Sequence, residues 1–206
     1  MSPRRPRTGK VDTRETSGCG RAVNRTVADI AASLPSGTAL DLGCGEGGDA
    51  LWLAEHGWQV TGVDISETAL ARAREAAASA DLADRARFVR AELPGGMPEG
   101  SFDLVSASFL HSPVTLDRLE ILRAAASRVA LGGHLLVVSH ASVPPWAHAD
   151  AQHADFPDLH EELAALALDA SAWDTVIAET RPRPVTAPDG TASTIDDAVL
   201  LLRRRV

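Results

Sequence analysis

Asp41 and Asp64 bracket a run of glycines, and together they have the makings of a site for a ligand that carries a ribose. The run Ala39-Leu40-Asp41-Leu42-Gly43-Cys44-Gly45-Glu46-Gly47-Gly48 reads as a buried strand entering a turn almost bare of side chains. Such a backbone can bend tightly and approach a ligand with no Cβ in the way. The helix expected next leaves unpaired N–H groups in its first turn, aimed outwards. Gly43, Gly45 and Gly48 also satisfy G-x-G-x-x-G, the dinucleotide pattern. Asp64 follows about 20 residues later, at the end of a second strand, where a carboxylate can accept hydrogen bonds from both ribose hydroxyls. A tight turn plus a helix-capping aspartate is the plainer reading of the same residues. Glycines and acid at this separation favour a nucleoside-bearing cofactor.

Asp41 bears on which cofactor. It lies inside the strand end, just before the first glycine. A pyrophosphate there would meet like charge in a partly dry cleft. A ligand with an ammonium group and a sulfonium suits it better, and S-adenosylmethionine (SAM) has both. A nicotinamide-dependent oxidoreductase shares the glycines and Asp64 but leaves Asp41 unexplained. A non-catalytic module that retains the cofactor cleft is a third reading.

Histidines supply the other chemistry. His111, in Phe109-Leu110-His111-Ser112-Pro113, and His140, at the start of 140–157, are the candidate general bases, because imidazole titrates in the useful range. Each could equally well hydrogen-bond a loop backbone. The stretch 140–157 carries Pro144-Pro145-Trp146, His148, His153 and Phe156 without clear periodicity. Long loops of this kind are usually functional or mobile, and this one is expected to be an acceptor lid, with Trp146, His148 and Phe156 as substrate contacts. His148 and His153 do not share a helix face, no cysteine lies near them, and no metal site is expected.

Alternating strands and helices must position these groups. Helical spacing runs from Val23 to Leu34 through Val27, Ile30 and Ala31. Strands are expected at Thr38–Leu42, Gln59–Val63, Arg87–Arg90, Phe102–Ala107 and His134–Ser139. Helices are expected at Ala50–Glu55, from Glu67 to about Ala80 with Ser66 as N-cap, and at Thr115–Val129. This is the order of βαβ units around a mostly parallel sheet. Thr175–Arg181 and Ala198–Leu202 break the rhythm, with Pro188-Asp189-Gly190 as turn chemistry between them. An antiparallel pair at the end of the sheet is expected.

The 206 residues suit one domain with a sizeable core. Residues 1–17 are basic and polar and are expected to lack fixed structure, leaving 18–206 as the domain. The two cysteines cannot make a disulfide framework, and no run approaches the ~20 apolar residues of a membrane helix. A cytoplasmic chain acting away from membranes is expected. The net charge of −8 opposes a phosphate backbone, so the expected partner is a small molecule and not nucleic acid. Oligomeric state is not legible.

The run from Asp41 to Gly47 resembles the first motif of class I SAM-dependent methyltransferases. The longer stretch ALDLGCGEGGDALWLAEHGWQVTGVDIS is similar to the branch containing tellurite-resistance and thiopurine methyltransferases. Phe102-Asp103-Leu104-Val105-Ser106 resembles the fourth motif, and Leu131-Gly132-Gly133 the glycine turn before the fifth strand. The resemblance implies a Rossmann-like α/β three-layer sandwich, with a mostly parallel seven-stranded sheet and an antiparallel C-terminal strand. It implies SAM as donor and a small-molecule acceptor such as a thiol, a chalcogen oxyanion or a phenol. Gly43 and Gly45, with Gly47 in the same turn, would pass under the methionine moiety, with Asp41 near its amino group. Asp64 would bind the ribose, Ile65 would pack on adenine, and Glu92 with the Leu93 backbone would meet the adenine amino group. Ser108 and Phe109 would line the methionine end. The tryptophan-containing segment that helps close the site in that branch has no counterpart here, where 17–24 lacks Trp.

Overall fold

The computed structural model describes residues 22–110, 117–147, 156 and 158–206. His111, His148, His153 and the whole of 1–17 lie outside the described residues.

Seven strands form one sheet: β1 (Thr38–Leu42), β2 (Gln59–Asp64), β3 (Ala86–Arg90), β4 (Phe102–Ser108), β5 (Val129–His140), β6 (Trp173–Thr186) and β7 (Ala192–Arg204). Their order is β3-β2-β1-β4-β5-β7-β6. The first five pair in parallel. β7 runs antiparallel to β5 and to β6, so it is the one reversed strand. The expected three-layer α/β architecture with an antiparallel C-terminal strand is the one observed.

Helices cover both faces because the strands are apolar on both. On one face Ala39, Leu136, Val138, Val199 and Leu201 pack with α1 (Arg25–Ala31), α2 (Gly48–Glu55) and α3 (Glu67–Ser79) through Val27, Leu53 and Leu70. On the other, Leu40, Leu42, Leu135, Val137 and Leu200 meet α4 (Arg118–Ser127) and α5 (Leu159–Leu166) through Ile121, Leu122 and Leu166. α3 buries Leu70, Ala73 and Ala77, as its period requires, and Ser66 accepts from the Ala69 N–H as its N-cap.

The differences have local causes. α1 is shorter than the apolar pattern, because Asn24 caps it by accepting from the Thr26 N–H. β5 begins at Val129, not at His134. Leu131-Gly132-Gly133 is absorbed as an irregularity in the ladder, between the pairs Phe102↔Val129 and Leu104↔His134. α5 was not expected. Its signal is Asp158 followed by Glu161, an N-cap and an acid in the first turn; the Asp158 carboxylate accepts from the His160 and Glu161 N–H groups, both at 2.9 Å.

β6 and β7 are much longer than their apolar runs. β7 pairs with β5 only from Asp197 to Arg203, whereas its pairing with β6 continues to Thr186↔Ala192. Residues 182–186 and 192–196 therefore form a ribbon projecting past the carboxyl end of β5. Pro182 and Pro184 are tolerated because β6 is an edge strand. Among the described residues no helix is long and apolar enough to cross a membrane.

Candidate functional site

Three backbone bends shape the turn after β1. Gly43, Gly45 and Gly47 have φ of +71°, +54° and +86°, values that favour glycine. The Gly43 and Cys44 N–H groups both donate to the Val63 carbonyl, at 2.8 and 3.0 Å, which ties the turn to β2. The glycines differ in surroundings. A Cβ on Gly43 would stand 2.6 Å from Leu110 Cδ1, and one on Gly47 would stand 3.0 Å from Ala73 Cβ and Phe88 Cζ. One on Gly45 would meet nothing within 4 Å. Gly45 alone of the three opens onto free space; packing against neighbouring side chains explains the other two.

Asp64 locks the turn to the second strand. Its Oδ2 accepts from the Gly45 N–H at 2.9 Å and its Oδ1 from the Ser66 N–H at 2.8 Å. Each oxygen keeps a further lone pair for a ligand. Ile65, next along, is 58% exposed, an apolar surface beside the acid. Glu92 is exposed past β3 and Leu93 half-buried.

Asp41 is 2% exposed, and its Oδ1 accepts from Ser106 Oγ at 2.9 Å. Burial drives its pKa well above the ordinary 3.8, and Asp49 pushes it further; the Ser106 bond pulls the other way. Asp49, in the first turn of α2, accepts from the Asn24 N–H at 2.7 Å, and burial raises its pKa too. The Cys44 thiol is driven up first by burial and then by Asp41 and Asp64, so it is a poor nucleophile. Among the described residues, no lysine or arginine bonds to Asp41 or Asp49. The Ser108 hydroxyl faces Asp49 and lowers its pKa in part. Asn24 Nδ2 is buried without a hydrogen-bond partner among the described residues, which a native interior rarely leaves unexplained. Asp49 and Asn24 were missed in the sequence. An acid in the first turn of a helix reads simply as a dipole partner.

The other half of the site sits at the ends of β4, β5 and the ribbon. Phe109, with φ of +48°, stacks on His140 with centroids 4.1 Å apart and planes at 19°. The Arg183 guanidinium carbon lies 5.3 Å from the centroid of the Phe109 ring. Asp197 has no exposed side-chain surface. It accepts from Arg183 Nε at 2.6 Å and Nη2 at 3.2 Å, and its Oδ1 lies 3.5 Å from His140 Nδ1. Burial would raise the Asp197 pKa, but His140 and Arg183 outweigh it and hold the carboxyl below its ordinary range. On the opposite face Arg118 donates to Glu162 at 2.7 Å, to Ser139 Oγ at 2.6 Å and to the Leu110 carbonyl at 3.4 Å, joining α4, α5 and both strand ends. Spacing gave no sign of Arg118–Glu162 or Arg183–Asp197, because each pair is far apart in the chain.

The sheet thus gathers Asp41, Gly43, Gly45, Gly47, Asp64, Ser108, Phe109 and His140 at the carboxyl ends of β1, β2, β4 and β5, where open α/β sheets bind ligands. His140 closes β5 and is not part of a loop. Beyond it, Ala141 and Ser142 donate to the Asp196 carbonyl and follow the ribbon. Trp146, in the next turn, is 38% exposed, and Phe156 is half-buried.

Residues 39–133 match the methyltransferase domain family. The 27-O-demethylrifamycin SV methyltransferase of Amycolatopsis mediterranei is 38% identical over 153 residues, 67% of this chain and 53% of that protein. The chain spans about half the length of that relative. TehB from Haemophilus influenzae superposes with a TM-score of 0.68 at 20% identity, over 89% of this chain and 63% of that one. A structure concerned with conversion of a disulfide bond into a thioacetal group during echinomycin biosynthesis gives 0.66 at 27% identity, over 89% and 83%. With the glycine turn, the acid closing β2 and the 3-2-1-4-5-7-6 sheet, these matches support a class I SAM-dependent methyltransferase domain in this chain.

Proposed function

We propose that this chain moves the methyl group of SAM to a small-molecule acceptor by in-line displacement. One observation carries the donor half: near the open Gly45, Asp41 and Asp49 have no cationic side chain bonded to them among the described residues. A ligand bearing an ammonium and a sulfonium relieves that excess of negative charge, whereas the phosphates of a nicotinamide cofactor would add to it. When bound, SAM supplies an electrophilic methyl group on sulfur.

The chain's own residues would do the rest. Gly43, Gly45 and Gly47 would hold the backbone under the methionine moiety, with Asp41 toward its amino group. Asn24 Nδ2, buried without a partner among the described residues, offers a donor nearby, with the Ser108 hydroxyl beside Asp49. Asp64 would take the ribose hydroxyls, Ile65 the adenine face, and Glu92 and Leu93 the adenine edge. Ser108 and Phe109 would border the reacting methyl. The segment after β5, with Trp146 and Phe156, would cover the acceptor. Alignment and exclusion of water are the main catalytic needs, and holding two reactants in place can be worth ~7–11 kcal/mol. The net charge of −8 supports a small acceptor over a polyanion.

Thermal unfolding with S-adenosylhomocysteine, and separately with NADPH, tests the donor. Ligand at 100 times its dissociation constant should stabilise by about 2.7 kcal/mol. A shift with the homocysteine product alone is expected. A shift with NADPH alone would replace this reading with hydride transfer. Product binding without turnover of any thiol, phenol or chalcogen oxyanion would leave a binding module.

A further inference from the structure

We propose that Arg118 is a positioning residue for methyl transfer: its one guanidinium fixes the ends of β4 and β5 and the helix α5 relative to one another, and so sets the alignment of acceptor against donor. The inference rests on the methyl-transfer reading above.

Arg118 opens α4, just after its N-cap Asp117. Its side chain is 15% exposed and that of its partner Glu162 is 9% exposed. Nε donates to Glu162 Oε1 at 2.7 Å and Nη2 to Oε2 at 3.3 Å, so both carboxylate oxygens of α5 are engaged. Nη2 also donates to Ser139 Oγ at 2.6 Å, beside the last residue of β5. Nη1 reaches the Leu110 carbonyl at 3.4 Å, just past the end of β4. Leu110 is itself buried, and its Cδ1 occupies the space beside Gly43. The chain leaves β5 after Ser139 and returns to α5 at Glu162, so a single fork holds it before and after that excursion. These strand ends carry Ser108 and Phe109, which border the reacting methyl in the reading above.

Stability alone is a poor reason for such a pair. Desolvation offsets much of the attraction between buried charges, and apolar side chains of similar size often serve a fold as well or better. A planar guanidinium does something they cannot: its N–H groups point in fixed directions, and here they reach three separate elements. Arg123 makes the contrast. It lies on the same helix and also bonds to α5, donating to the Ala165 carbonyl at 2.6 Å, but it is exposed and holds α5 alone. In the reaction an acceptor lone pair forms a bond to the methyl carbon while the carbon–sulfur pair returns to sulfur. That displacement depends on the alignment of three atoms, and a misplacement of about 1 Å can cost about 100-fold in rate. Arg118 acts on it through the strand ends it holds.

The test replaces both partners at once. Arg118→Met with Glu162→Met, made in the full chain, removes the ion pair without leaving a charge buried. Thermal unfolding, S-adenosylhomocysteine binding by calorimetry, and turnover of SAM with a panel of simple thiols, phenols and chalcogen oxyanions are measured together. Turnover is expressed per calorimetric binding site, so that loss of folded protein does not count. The double variant should unfold close to the wild type and still bind the product, yet turn over about 100-fold more slowly. Arg118→Lys keeps the charge but not the fork, and its turnover should fall as well; Arg123→Ala should turn over as the wild type does. Should the double variant fail to fold, Arg118→Lys decides alone. Wild-type turnover per site in either Arg118 variant, or an equal loss in Arg123→Ala, would overturn the proposal. A wild-type chain that binds the product but turns over nothing in the panel would remove the methyl-transfer reading, and one that does not bind it would remove the donor; this inference falls with either.

Discussion

Asp41 and Asp197 are both buried carboxylates at the carboxyl edge of one sheet, yet their environments push them in opposite directions. Asp41 has a serine hydroxyl and two acidic neighbours, and its pKa is raised. Asp197 has an arginine and a histidine, and its pKa is lowered. The glycine-turn side of this edge therefore carries negative charge with no cationic partner among the described residues, and the His140 side is balanced by its own side chains. Burial of a charge without a partner is costly, so the first arrangement makes sense as preparation for a cationic ligand. The second ties the ribbon to the end of β5 through Arg183 and Asp197.

The largest expected effect breaks the balanced half. Asp197→Ala strips Arg183 and His140 of their shared partner and should cost about 3 kcal/mol of stability in denaturant unfolding. A loss near zero would mean that the ribbon does not depend on this pair. On the cofactor half, Asp64→Ala should weaken S-adenosylhomocysteine binding about 100-fold by calorimetry, equivalent to about 2.8 kcal/mol, since the carboxylate also holds the Gly45 N–H.

Gly43→Ala and Gly45→Ala separate packing from ligand approach. Both have positive φ, but only Gly43 would meet Leu110. Gly43→Ala should lose about 2 kcal/mol and Gly45→Ala about 1 kcal/mol. The Gly45 variant should nonetheless bind the product worse, because its methyl enters the open space. Equal affinities would argue that the ligand does not pass over Gly45.

The smallest effect is the most diagnostic of the comparison. Folding raises the Asp41 pKa, so the folded chain holds that proton more tightly than the unfolded one. The associated stability is fully present below the ordinary value of 3.8 and is lost as pH rises through the folded value. Asp41→Asn should therefore raise stability at pH 7, by about 1 kcal/mol, flatten that slope and weaken SAM binding. Asp197 has the opposite sign: its contribution is present above 3.8 and is lost as pH falls through the lower folded value. Thermal unfolding of Asp41→Asn across pH 2–8, with Asp197→Asn beside it, reads both. Destabilisation by Asp41→Asn at pH 7 would end the idea of an uncompensated carboxylate.

Local chemistry explains which parts were legible. The glycine turn, Asp64 at the end of β2, Ser66 as N-cap and the period of α3 each depend on residues close in the chain. The long arms of β6 and β7 were not legible, because β6 alternates half-buried and exposed residues and carries two prolines. Its regularity comes from pairing with β7. α5 was overlooked although Asp158 and Glu161 announce it.

By itself the sequence determined the order of elements, the glycine turn and the acid at its far side, because short-range sterics and hydrophobic period write these into neighbouring residues. Tertiary structure alone decided the charge state of the site. It buried Asp41 beside Asp49, and it brought Arg183 and His140 to Asp197 from different strands. Burial and partners across the sheet set a carboxylate's pKa, and neither is a property of the residues next to it in the chain.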